Sequence, residues 1–343
     1  MAKITTPLTK LLKTQSPIIS APMAFGSDGA LASAVTAAGA FGFFGAGFLS
    51  TNELKSNIST ARKNLGTKEG DPVPIGIGFI GWILDMTEQS DDPRLLNILA
   101  EKPIAIWFAF GTDLGKYIAQ VHDYDSKRDH KTLIFVIVNS VEDAIKAANE
   151  WKVDVLVVQG IEAGGHGGSE SPPLLTLLQA VVAAIPSGPL IAAAGGVSTG
   201  TQIAALLTMG ASGVALGTRF LFTQESIYTP AQKQALVDAG LSKSTMRTLA
   251  FDEVGRTNYW PPKHDGRALL NDIIKDVEAG FDMETRLKKF DESAAAGDTS
   301  RLIVWAGAGV GLTNKITPAA DVVQQLEKEA IAALQTQARL LSK

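Results

Sequence analysis

One histidine sits where chemistry could be built. In VDVLVVQGIEAGGHGG, from Val153 to Gly168, a run of β-branched and apolar residues ends at Gln159 and Gly160, and His166 follows among Gly164, Gly165, Gly167 and Gly168. A short, nearly continuous apolar run is the pattern of a strand buried in a parallel sheet. Glycines at its carboxyl end allow the backbone to approach a ligand closely, and catalytic loops gather at such strand ends. An imidazole titrates near neutrality, so it can orient an anion when protonated or remove a proton when neutral.

Two further glycine loops could hold an anion. LIAAAGGVSTG offers the backbone N–H groups of Gly195, Gly196 and Val197, and GVALGTRF offers those of Gly217 and Thr218 together with a hydroxyl near a helix start. In a barrel the loops after the last two strands commonly build a phosphate site. The glycines of GFFGAGF and VWAGAGVG lack the spacing and context of a dinucleotide fingerprint. A rival reading lies in Gly196-Val-Ser198-Thr-Gly200, which matches a hydrolase nucleophile elbow and has Asp252 and His264 in the required downstream order. That reading leaves the His166 loop and GVALGT without a task.

Composition removes several classes of chemistry. The 343 residues are 45% hydrophobic with a net charge of −4, and the charges are interspersed, so no basic face for nucleic acid or anionic lipid is expected. Absence of cysteine excludes disulfides, thiolate metal sites and cysteine nucleophiles, and four scattered histidines show no zinc spacing. No apolar run reaches the roughly 18 residues that cross a bilayer. The opening MAKITTPLTKLLKTQSP reads as a short lead-in without a secretory core, and a cytoplasmic protein is expected.

The elements that must position these loops recur in order. Candidate strands are Pro17 to Ala21, Phe41 to Phe44, Val73 to Phe79, Ile104 to Phe108, Thr132 to Val138, Val153 to Val158, Leu190 to Ala194 and Gly213 to Leu216. Helical patterns lie between them, among them Gly29 to Ala38, Ser140 to Trp151 and Thr201 to Met209. Eight βα units predict an α/β fold, a (β/α)8 TIM barrel, with a doubly wound open sheet as the alternative. After the eighth strand, 224–300 becomes polar and is expected to be a small helical insertion, a substrate or lid domain. TPAQKQALVDAG and GRALLNDIIKDVEAGF are its clearest helical segments. The barrel would comprise 1–223 and 301–343, closing with a helix from Pro318 to Leu341 whose Val322, Leu326, Ala330 and Leu334 recur every four residues.

In combination, SAPMA after the first strand, QGIEAGGHGG after the sixth, AAGGVSTG after the seventh and GVALGTRF after the eighth resemble the nitronate monooxygenase family, formerly called 2-nitropropane dioxygenases. The resemblance covers Pro17 to Phe222 and extends more loosely to WAGAGVGL; the EAGGH loop is shared with a flavin-dependent enoyl-carrier-protein reductase relative. It implies FMN bound noncovalently at the barrel mouth. Ala21, Pro22 and Met23 would line the isoalloxazine, with Gln159 in contact. Gly195, Gly196, Gly217 and Thr218 would hold the phosphate, and Gly160, Gly164, Gly165 and Val197 join them in the cofactor site. The resemblance makes His166 the catalytic base. Some members carry a lysine after the fifth strand, where this chain has Val138-Asn139-Ser140.

The reaction this implies is oxidation of alkyl nitronates, such as propionate 3-nitronate, or of nitroalkanes, by O2 to a carbonyl compound and nitrite, with the flavin carrying the electron transfer. The alternative is an NAD(P)H-dependent reductase of the same barrel family, acting on an enoyl thioester or quinone. A barrel that binds a phosphate ligand without chemistry is the non-enzyme reading. Expected partners are the small-molecule substrate and O2, without nucleic acid or membrane, in a monomer or homodimer. Phe25, Phe79 and Trp82 follow predicted strands and can face the mouth, and Tyr259, Trp260, Lys263, His264 and Arg267 in RTNYWPPKHDGRAL could wall a substrate.

Overall fold

The computed structural model describes residues 2–339. Its centre is a closed barrel of parallel strands: β1 (Ile18–Ser20), β2 (Phe41–Gly45), β3 (Val73–Ile80), β4 (Pro103–Ala109), β5 (Leu133–Val138), β6 (Val155–Gln159), β8 (Leu190–Ala194) and β9 (Gly213–Leu216). The ring closes where Ile18, Ile19 and Ser20 pair with Val214, Ala215 and Leu216. All eight expected strands are present and the sheet is closed rather than open.

Strand alternation divides the apolar residues between two layers. Ile19, Phe43, Trp107, Phe135, Val157 and Ala215 fill the barrel interior, where Trp107 and Phe135 stack with ring centroids 6.0 Å apart. Ile18, Phe44, Ile77, Phe108, Val136 and Val158 pack outward on the helices. The segment read as a lead-in contains a helix, Pro7–Leu12, whose Leu8 and Leu12 join the interior cluster. The last helix, Ala319–Ala338, buries Val322, Leu326 and Ala330 against the barrel's outer layer, with Leu334 partly buried beside them. The final residues of that expected helix, Leu340 and Leu341, lie outside the described residues.

The polar region after β9 is not purely helical. It holds helices Pro230–Asp238, Ala250–Gly255, Asp272–Glu278 and Met283–Ala295, and also β10 (Thr245–Thr248) and β11 (His264–Leu269). GRALL, expected to begin a helix, is instead the end of β11, because the short apolar run finds a strand partner on each side. One partner is β10. The other is β7 (Gly165–Gly168), the His166 segment itself, so that a three-stranded antiparallel sheet β10-β11-β7 joins the insertion to the barrel. What reads in sequence as a catalytic loop is therefore a strand in its own right. Leu269 N–H donates to the Val304 carbonyl and Ala306 N–H to the Arg267 carbonyl, extending this sheet into the WAGAGVG segment.

Candidate active site

The carboxyl ends of the barrel strands open into one cavity. Ala21, Pro22 and Met23 line it beyond β1, and Gln159, Gly164, Gly165 and His166 reach it from β6 and β7. Gly195, Gly196 and Val197 follow β8 into the same space, as Gly217 and Thr218 follow β9. Gly160 is the exception among the expected residues. Its backbone packs behind Gly195, where a Cβ would stand 3.1 Å from the Gly160 carbonyl oxygen.

His166 is held by a carboxylate that comes from far along the chain. Its Nε2 lies 2.8 Å from Asp252 Oδ1 and 3.0 Å from Oδ2. Asp252 is buried and its Oδ1 also accepts from the Thr257 hydroxyl and from Trp260 Nε1, each at 2.8 Å. A carboxylate only accepts, so Nε2 carries the hydrogen and the lone pair of the neutral ring falls on Nδ1. Nδ1 has no hydrogen-bond partner among the described residues and is not sealed from the cavity. Burial pushes the imidazole below its ordinary range, against the opposing pull of Asp252. The ring is thereby kept neutral, with a free basic nitrogen.

A second group of side chains fixes the strand that carries it. Gln159 Nε2 donates to the His166 carbonyl at 3.3 Å, while Asn139 Nδ2 donates to both the backbone and side-chain oxygens of Gln159, at 2.9 and 3.0 Å. Asn139 thus orients Gln159 and does not line the cavity. Arg247, from β10, donates through Nη2 to the Gly167 carbonyl at 2.9 Å and through Nε to Asp265 Oδ1 at 2.8 Å.

The opposite end of the cavity is a cradle of backbone. Gly195 and Gly196 adopt φ of +112° and +70°, values that favour glycine. A Cβ on Gly217 would meet only Met23 Sδ, at 3.6 Å, and would otherwise project into the cavity. The Thr218 hydroxyl accepts from Gly307 N–H at 2.9 Å, which leaves its own proton to donate. VWAGAGVG, which lacks a motif spacing, supplies the third wall through Gly307 and Gly309. Among the described residues no Lys, Arg, Asp or Glu lines the cavity, so the donors that the glycine cradle itself offers to an anion are backbone N–H groups and the Thr218 hydroxyl.

Several expected residues are used elsewhere. Ser198 donates to the Gly309 carbonyl at 3.0 Å, Asp252 belongs to His166, and His264 Nδ1 lies 3.0 Å from the Pro262 carbonyl oxygen. The hydrolase constellation is therefore not assembled. Lys263 pairs with Glu170 on the surface, and Arg267 donates to the Ile161 carbonyl and Thr245. Trp260 does line the cavity, as do Phe25, Phe79 and Trp82, whereas Tyr259 packs on Trp82 from outside it. Asp252 was not recognisable as the partner of the histidine, nor Arg247 as the brace of its strand, nor Trp305, whose ring centroid lies 4.6 Å from that of the imidazole. The hydrogen bond to Asp252 spans 86 residues, and no local pattern in the sequence registers such a pairing.

Known proteins resemble this chain in sequence and fold. The nitronate monooxygenase family model matches residues 5–329. A nitronate monooxygenase of Neurospora crassa is 32% identical, the alignment covering 92% of this chain and 90% of the relative. Another, of Metarhizium robertsii, is 33% identical over 94% of this chain and 93% of its own. Among solved structures, FabK from Thermotoga maritima superposes with a TM-score of 0.78 at 25% identity, covering 98% of this chain and all of that one. Nitroalkane oxidase from Streptomyces ansochromogenes superposes with a TM-score of 0.76 at 27% identity, covering 96% and 99%. No helix among the described residues is long and apolar enough to cross a membrane. By family model, relatives and fold together, this chain belongs to the nitronate monooxygenase family.

Proposed function

We propose that this protein is an FMN-dependent nitronate monooxygenase that converts alkyl nitronates and O2 to a carbonyl compound and nitrite. The observation that carries the reading is the pairing of a neutral, carboxylate-anchored His166 with a charge-free anion cradle in one cavity. The cradle suits FMN because Gly217 leaves open the space a side chain would fill, and Thr218 keeps a hydroxyl proton to give. Gly195, Gly196, Gly217 and Thr218 would hold the phosphate, and Ala21, Pro22 and Met23 would lie along the ring system. When bound, FMN supplies the electron acceptor that relays an electron from nitronate to O2.

The protein's own groups do the rest. Nδ1 of His166 takes the α-proton of a neutral nitroalkane, and the positive charge that results is compensated by Asp252 behind the ring. When the substrate is already a nitronate, that step is not needed, and His166 stays neutral beside it. Trp260, Phe110 and Trp82 exclude water around it. In a dry cavity an electrostatic contact of this kind is stronger than in water.

The likeness to FabK favours a second reading, reduction of the flavin by NAD(P)H. Anaerobic stopped-flow mixing separates the two. Bleaching of the flavin absorbance by a nitronate, with NADPH giving a slow change or none, is the expected result. Rapid reduction by NADPH together with indifference to nitronate would replace the proposal with the reductase reading.

A further inference from the structure

The carboxamide of Gln159 has two ends of opposite chemistry, and its surroundings decide which of them is free. Nδ2 of Asn139 lies 2.9 Å from the backbone oxygen of Gln159, an atom that only accepts, so this end of the Asn139 amide is the donor. The same Nδ2 lies 3.0 Å from one end of the Gln159 side chain, which is therefore the oxygen. At the other end Gln159 Nε2 meets the His166 carbonyl at 3.3 Å, again an atom that only accepts. Two backbone carbonyls thus fix both amides, and neither can be turned over without setting like against like. The fit leaves no room beside it: a Cβ on Gly167 would stand 2.5 Å from Gln159 Oε1, and one on Gly168 2.9 Å from Asn139 Cβ. An amide nitrogen carries two hydrogens. One is spent on His166, the other has no acceptor among the described residues, and Gln159 lines the cavity.

We propose that Asn139 is a positioning residue that holds the Gln159 carboxamide with its spare N–H toward the cofactor, and that this fixed donor raises the electron affinity of the bound flavin. The proposal rests on the FMN reading for the identity of the ring. A ring that gains electrons becomes a better hydrogen-bond acceptor, so a donor held beside it stabilises the reduced form more than the oxidised form. The amide oxygen in the same place would do the reverse. No Lys, Arg, Asp or Glu lines the cavity among the described residues, so no lining charge of that kind overrides the sign of this dipole. Asn139 does not reach the cavity itself, and its effect on the ring therefore passes through Gln159.

The test is the reduction potential of FMN bound to the full chain, measured anaerobically against a reference dye for Asn139→Leu, Gln159→Leu and the double variant. Gln159→Leu should lower the equilibrium constant for two-electron reduction about tenfold, a fall of ~30 mV. Asn139→Leu, which frees the Gln159 amide to turn either end to the cavity, should give about half of that shift. The double variant should match Gln159→Leu alone, because the second substitution has nothing left to orient. Asn139→Ala makes the same comparison in place of a leucine variant that does not load flavin. A native potential in the Asn139 variant, with an unchanged circular dichroism spectrum, overturns the proposal. Shifts that add in the double variant overturn it too, since Asn139 would then act by another route, and so does a native potential in Gln159→Leu. If the unaltered chain takes up no FMN, the FMN reading fails and the proposal falls with it. If nitronate bleaches the flavin of every variant at one unchanged potential, the proposal alone fails.

Discussion

The imidazole of His166 lies flat on the indole of Trp260, with ring centroids 3.4 Å apart and planes inclined by 8°. The same indole donates its N–H to Asp252, the carboxylate that holds His166 Nε2. One side chain therefore sets both the plane of the ring and the position of its anchor. Aromatic contacts of this kind contribute about 0.5–1.5 kcal/mol beyond burial, and the hydrogen bond to a charged acceptor about 1.5–3 kcal/mol.

These two roles separate by substitution. Trp260→Phe keeps a ring face and removes the N–H, whereas Trp260→Ala removes both. With neutral nitroalkanes kcat should fall about tenfold for the phenylalanine variant and further for alanine. Equal, near-native kcat for both variants would show that the stack does not orient the base.

The pH profile tests Asp252. Burial already lowers the pKa of His166, and Asp252 is the group that opposes this most. The acid limb of kcat/KM for neutral nitroalkanes, where base must be unprotonated, should lie below the ordinary histidine value of about 6.5. Asp252→Asn should move that limb to lower pH and reduce kcat about tenfold to a hundredfold. The linkage has the same sign for stability: below about 6.5 the unfolded chain binds the proton more readily than the folded one, so stability falls as pH drops. An unshifted acid limb in Asp252→Asn, read by steady-state kinetics, would remove Asp252 from the control of His166.

His166→Asn should retain the flavin spectrum and lose about a hundredfold or more of its turnover with neutral nitroalkanes. Nitronates arrive deprotonated, so their oxidation should suffer less. Full activity on both forms, measured by oxygen uptake, would show that His166 is not the base.

The cradle is tested without touching the histidine. Gly217 has a negative φ of −97°, and its Cβ would meet little but cavity. Gly217→Val should therefore fold with a native circular dichroism spectrum and purify with most of its visible flavin absorbance gone. A variant with an unchanged ratio of visible to ultraviolet absorbance would place the phosphate elsewhere.

The barrel was legible because its signals are local. Apolar runs such as Leu133–Val138 and Leu190–Ala194 recur with helices between them, and each strand's burial is written in its own residues. His166 was legible for the same reason, from the glycines beside it. Its partners were not. Asp252 sits in FDEVGRTNYW, where an acid on a polar helix resembles any solvated charge, and only the docking of β11 against β7 brings it to the imidazole. GRALL misled for a related reason: three apolar residues do not distinguish a strand from a helix until a partner strand is present.

The pairing of β7 with β11 also has a consequence for biosynthesis. A chain emerging from the ribosome completes its barrel strands at β9 well before β11 and Trp305 appear. Until those later residues dock, the histidine has neither its carboxylate nor its edge partner. A half-made molecule would lack the anchored imidazole, which is complete only once the barrel and its insertion are joined.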